Sequence, residues 1–303
     1  MATWICKALV ILACMLAATG SQAAEKAFDQ RFTAAPGGRL TVDADSGSVA
    51  VIGHDSRDLI VHAEITGTSD YLSRVQVSAV QSATGVIVTE RVTHRFFDWF
   101  DLSLHPRRVR FTIEVPRDYP VDIRTSGGGL DVSHLKASLR GRTFGGSVIL
   151  QDVLGSVDTH TFGGSIVARD LDGPTELRTF GGGISVSHCV GDLDVRTAGG
   201  GIRLDDIDGR VSARTSGGSV SARMRANRGI SLKTSGGGIS LVLPANVRAS
   251  IDARTTGGNA SSSIPLSSVR IAARNELRGD INGGGESIVL RTFGGGIHIS
   301  PRG

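Results

Sequence analysis

Thr143-Phe144-Gly145-Gly146-Ser147-Val148-Ile149-Leu150-Gln151-Asp152-Val153-Leu154-Gly155-Ser156-Val157-Asp158-Thr159-His160 runs directly into Thr161-Phe162-Gly163-Gly164-Ser165-Ile166, where the same phrase begins again. The phrase is Thr, then Ser, Phe or Ala, then Gly-Gly, then Gly or Ser, then Ile or Val. It opens at Thr125, Thr143, Thr161, Thr179, Thr197 and Thr215, eighteen residues apart each time. It returns with looser spacing at Thr234, Thr255 and Thr292. A fixed period of this length is the mark of a repeat architecture.

With each Thr as position one, the columns show what a repeat is made of. Position six holds Leu130, Val148, Ile166, Ile184, Ile202 and Val220, and position eight holds Val132, Leu150, Ala168, Val186, Leu204 and Ala222. Apolar residues two apart are a strand signal. Position eleven (Leu135, Val153, Leu171, Cys189, Ile207) and position fifteen (Leu139, Val157, Thr175, Leu193, Val211) predict a second short strand closing each repeat. Glycine at positions three, four and thirteen marks the corners between them. One repeat carries too few apolar side chains to offset the cost of ordering its backbone, about 1–2 kcal/mol per residue. Copies piled in register gain ladder hydrogen bonds above and below and join their apolar columns into one core. The predicted fold is therefore all-β: a parallel β-solenoid, or β-helix, right-handed by the default for parallel crossovers.

Outward from the repeats the pattern loosens. Residues 1–23 combine Lys7, an apolar run over 8–18 and Ser21-Gln22-Ala23, and read as a secretory signal peptide. Residues 24–120 are rich in short β-branched runs and predict a less regular entry and capping region. Residues 121–258 are the regular solenoid, and residues 259–303 predict a longer excursion followed by a last rung and cap. Open solenoid ends expose strand edges, so caps are expected on physical grounds. With 41 glycines and no collagen period, the composition fits turn-rich β-structure. Two of the three cysteines fall in the leader, leaving Cys189 in an apolar column as a small buried hydrophobe.

Gly47-Ser48-Val49-Ala50-Val51-Ile52-Gly53, Val115-Pro116-Arg117-Asp118 leading into residues 121–129, and the recurring Thr-x-Gly-Gly phrase together resemble the bacterial putative adhesin family. That resemblance covers nearly all of the chain after the leader. It implies an exported β-strand-repeat protein of the cell envelope, in the periplasm or at the cell surface, and brings no catalytic residues with it.

Position eighteen supplies the first candidate site: Arg124, Arg142, His160, Arg178, Arg196, Arg214, Lys233, Arg254 and Arg291. Stacked at about 4.8 Å per rung, these residues form a basic ladder able to track the charges of an anionic polysaccharide or another envelope component. Two residues earlier stand Asp122, Asp158, Glu176, Asp194 and Asp252. The alternative is thus a salt-bridged solvated face, the commoner arrangement. Position two gives Phe144, Phe162, Phe180 and Phe293, expected to pack at a corner. The segment holding Phe96, Phe97, Trp99 and Phe100 is a third candidate, either a contact surface or a plug for the solenoid end.

Sharper motifs fail. The calcium-binding nonapeptide needs Gly-Gly-x-Gly-x-Asp, but Gly199-Gly200-Gly201-Ile202-Arg203-Leu204 puts Ile and Leu where Gly and Asp belong. The histidines occupy different columns and no Ser or Cys is placed beside a base, so no catalytic constellation, metal site or cofactor is expected. Asp205-Asp206 near Arg203 is the sole hint of a polysaccharide-cleaving enzyme. The residues point to a non-enzymatic binding scaffold, with a self-assembling structural module as the second reading.

Overall fold

The computed structural model of the chain describes residues 24–93 and 108–302. The leader therefore lies outside the described residues, as do Phe96, Phe97, Trp99 and Phe100. Within them, strands are joined by short turns and one brief helix, Ser69–Arg74. Among the described residues no helix is long and apolar enough to cross a membrane.

The strands form two long sheets, one of thirteen and one of fourteen. Each eighteen-residue repeat gives one strand to each sheet: Val148–Leu154 to the first and Val157–Thr161 to the second. Val148 pairs in parallel with Leu130 on one side and Ile166 on the other. Thr143 likewise lies between Thr125 and Thr161. The chain is a parallel β-solenoid, and residues eighteen apart are direct neighbours along its ladders. Positions six, eight, eleven and fifteen all point inward, as Ile166, Ala168 and Leu171 do at 2% exposure or less.

The odd step from eight to eleven has a local cause. Position ten is His134, Asp152, Asp170, His188 or Asp206, and each adopts a left-handed backbone with φ between 52 and 59°. Short polar side chains tolerate that region best. The kink turns two consecutive side chains outward, so position eleven returns to the core and one strand bends around it.

Position one closes the rung. The hydroxyl of Thr161 donates to the Gly146 carbonyl of the preceding rung at 2.6 Å and accepts from the Gly164 amide of its own at 3.2 Å. Thr143, Thr179, Thr197, Thr215 and Thr234 repeat both bonds. The threonines are buried, with both hydrogen-bonding roles filled. Position four is Gly for want of room: a Cβ on Gly164 would meet the Gly146 carbonyl oxygen at 2.2 Å.

Both ends depart from sequence order. Residue 120 marks no break in the sheets, because Arg39–Ala44 pairs with Val121–Thr125 and Ser48–His54 with Leu130–Leu135, making these two strands a rung of the same solenoid. Gly85–Val92 and Arg108–Pro116 stack outside it. At the other end, Ser287–Thr292 and Ile297–Pro301 insert between the strands around Thr234 and those around Thr255. The expected last rung is thus last in sequence but not in space. Antiparallel strands finish both sheets at one end, Ala24–Thr33 with Asp58–Gly67 and Val75–Ser82 with Gly85–Val92, and the fourteen-stranded sheet at the other, Glu276–Ile281 with Ser268–Ala273, where the thirteen-stranded sheet ends on the parallel strand Ala260–Ser262.

One cap contact titrates. Asp29 Oδ1 lies 2.6 Å from His62 Nδ1 across the antiparallel pair. That hydrogen bond raises the His62 pKa above its ordinary 6.5 against a smaller lowering by burial, with Glu64 adding to the rise. A raised pKa means the folded cap favours the proton. Its stabilising contribution is complete below the ordinary value and is lost as pH rises through the raised one. Amide protection in Ala24–Thr33, corrected for intrinsic exchange, should fall over that window relative to Ile184–Val190. A constant ratio would contradict the assignment.

Candidate functional site

The solenoid aligns the position-eighteen residues on one outer face of the fourteen-stranded sheet. Successive strands carry Arg124, Arg142, His160, Arg178, Arg196, Arg214 and Lys233 in register. Arg291 comes next and Arg254 after it, the reverse of their order in the sequence. Neighbouring rungs are about 5 Å apart, as the 4.9 Å between the Phe144 and Phe162 ring centroids records.

Much of this column is compensated. Arg124 lies 3.8 Å from Asp122, His160 3.0 Å from Asp158, Arg196 2.6 Å from Asp194 and Arg254 2.8 Å from Glu276. Arg178 pairs with Glu176, and Arg291 with Asp252. Burial pushes the Asp252 carboxyl up, but Arg291 and then Arg278 outweigh it and hold it below the usual carboxylate range. The solvated-face reading therefore holds for these rungs. It fails for Arg142, Arg214 and Lys233, which have no acidic partner among the described residues.

The reason is in the neighbouring column. From Asp194 the position-sixteen ladder continues as Ser212, Ser231 and Val289. The acids lapse over three rungs, until Asp252 beside Val289, while the cations go on. Position two changes over the same rungs. Phe144, Phe162 and Phe180 stack face to face, yet stand 64%, 51% and 59% exposed. They do not pack into the corner as expected, because the residue after an inward Thr points outward. Past Phe180 the column shrinks to Ala198, Ser216 and Ser235 before Phe293 restores a ring. The missing rings leave a groove of about 520 Å³ lined by Arg196, Arg214, Lys233, Arg291 and Arg254, with Phe293 beside them.

Other candidates are accounted for. The Nε2 of His160 and carboxylate oxygens of Asp158 and Glu176 lie within 4.8 Å of one another. Arg140, 3.5 Å from Asp158, and Arg178 on Glu176 already balance those carboxylates, so the cluster works as an ion-pair network. Asp205 is bonded to Arg223, and Asp206 to Arg225 and Arg302. Cys189 is fully buried, and burial pushes its thiol up to about 11, far from thiolate reactivity. The groove escaped the sequence reading because it is defined by what two columns lose. Positions sixteen and two had to be read together for the gap to show.

Comparison with curated proteins finds no match. Among solved structures, a putative adhesin from Parabacteroides merdae is similar at 11% identity over 92% of this chain and 97% of its own, with a TM-score of 0.47. A putative lipid binding protein from Parabacteroides distasonis is similar at 12% identity over 91% and 97%, with a TM-score of 0.45. A putative adhesin from Bacteroides fragilis is similar at 12% identity over 93% and 100%, with a TM-score of 0.34. The Toastrack DUF4097 family model matches residues 39–300. A match over that span means that the chain belongs to the Toastrack DUF4097 family, the putative adhesin group that its Thr-x-Gly-Gly phrase resembles.

Proposed function

We propose that this chain is an exported, non-enzymatic scaffold of the cell envelope that binds anionic glycan along its basic face. Export is read from residues 1–23 and the non-enzymatic character from the lack of a catalytic constellation in the sequence. The observation that carries the ligand class is the run of cations across the gap between Asp194 and Asp252 in the neighbouring column, with Arg214 and Lys233 left unpaired. A surface ion pair contributes about 0–1 kcal/mol. Unpaired charges on two successive rungs of a rigid frame serve a polyanion better than they serve the fold.

Residues 24–303 should hold immobilised acidic polysaccharide at physiological salt and ignore a neutral one. Charge reversal at Arg178, Arg196 and Arg214 together should weaken binding at least tenfold. Equal retention by the variant would contradict the reading. Self-assembly has its own observation: the edge strand Ser268–Ala273 is exposed throughout, with Val269 57% and Ile271 37% exposed. Light scattering that rises with protein concentration without glycan would favour that reading instead.

A further inference from the structure

We infer that the groove between Arg196 and Arg254 is the ligand site, and that its ligand is a short acidic oligosaccharide of the uronic-acid type, lying along the solenoid axis with one sugar ring against Phe293. This rests on the glycan-binding reading and adds a location, a length and a chemistry to it.

Charge sets the location. The groove lining offers five cations, on five successive strands in the spatial order Arg196, Arg214, Lys233, Arg291, Arg254, and no carboxylate. Three of the five have one acid each behind them, namely Asp194, Asp252 and Glu276. Arg214 and Lys233, at the centre, have none. An arriving anion therefore meets its two strongest sites in the middle and displaces no partner there. The upper column differs: Arg178 is held by Glu176, and its position-two neighbours are phenyl rings that fill the space a ligand would need.

Length follows from the rung interval. The cations recur about every 4.9 Å, the measured step of the stacked rings. A pyranose chain advances by a similar distance per sugar, so a polyuronide lying along the column brings carboxylates past it at the rung interval or a small multiple of it. Arginine meets a carboxylate through two parallel N–H···O bonds, which fixes both spacing and orientation. A lipid headgroup or free phosphate offers one compact charge and uses a single rung.

Phe293 selects a sugar. It is 69% exposed, and its neighbours in the column are Ser235 and Thr256 rather than other rings, so its face is open. An open aromatic face accepts the C–H face of a pyranose. The hydroxyls of Ser216, Ser235 and Thr256 line the same groove without a protein partner and are available to sugar hydroxyls.

The test is titration of the described protein with tetragalacturonate by calorimetry. Inorganic phosphate and phosphatidylglycerol vesicles serve as separate probes, and thermal unfolding of every variant confirms folding. Saturable binding should weaken at least tenfold in Arg214→Glu/Lys233→Glu and severalfold in Phe293→Ala. Arg142→Glu/Arg178→Glu, on the same basic face but outside the groove lining, should weaken this short ligand less than twofold. Binding lost equally in both charge-reversed pairs would overturn the groove while leaving the glycan reading standing. Tetragalacturonate that fails to bind while longer acidic polysaccharide does would overturn the proposed length and chemistry alone. Vesicle or phosphate binding as strong as the sugar's would overturn the ligand assignment. Weakening in Phe293→Ala no greater than in Phe144→Ala would remove the sugar platform.

Discussion

Gly164→Ala should cost about 3 kcal/mol of stability, at the upper end of overpacking substitutions, whereas Gly163→Ala next to it should cost less than about 1 kcal/mol. The two glycines look alike in sequence and differ only in what lies above them. A Cβ on Gly164 would stand 2.2 Å from the Gly146 carbonyl oxygen and 2.4 Å from its carbon. The obstacle is backbone and cannot swing aside, so two rungs must part. A Cβ on Gly163 would stand 3.3 Å from the Gly145 oxygen, a shortfall that a small shift absorbs. Neither has a left-handed backbone, which separates this effect from conformational preference. Because each rung touches only its neighbours, amide exchange should rise first in Val148–Leu154 and Ile166–Asp172, the strands that follow the two glycine turns. Urea midpoints measure the rest, and equal costs at the two positions would contradict the close stacking.

Thr179→Val should cost about 2 kcal/mol although its shape hardly changes. The hydroxyl donates to the Gly164 carbonyl at 2.6 Å and accepts from the Gly182 amide at 3.3 Å. Valine leaves both without partners in a buried corner, and each unsatisfied group costs about 1–3 kcal/mol before relaxation. Thr179→Ser keeps the hydroxyl and should recover most of the loss. A valine variant as stable as the serine one would show that the column is held by packing rather than by hydrogen bonds. Every repeat begins with Thr because this one side chain ties two rungs together.

The solenoid was legible because its cause is local and repeated. Eighteen-residue spacing fixes which side chains stack, and Leu130, Val148, Ile166 and Ile184 already spell a continuous core. The ends were less legible because they depend on pairings between distant segments. Nothing near Thr292 announces that its strand slips between those of Thr234 and Thr255, which places Arg291 beside Lys233. The role of position ten was also hidden: His134 and His188 invite a catalytic or metal reading, yet share with Asp152, Asp170 and Asp206 a left-handed kink. The basic column was visible residue by residue. Its division into a compensated stretch and an open groove was not, because that depends on where Asp gives way to Ser212 and Phe to Ala198.

Stacking at one rung per eighteen residues is tested most directly by nitroxide pairs replacing Phe144, Phe162 and Phe180, which face solvent, while the buried Cys189 stays unlabelled. Labels at 144 and 162 should broaden each other strongly, and labels at 144 and 180 more weakly, at two steps of the 4.9 Å interval. Absence of coupling between 144 and 162, or equal coupling in both pairs, would contradict the stacked rungs and the groove built on them.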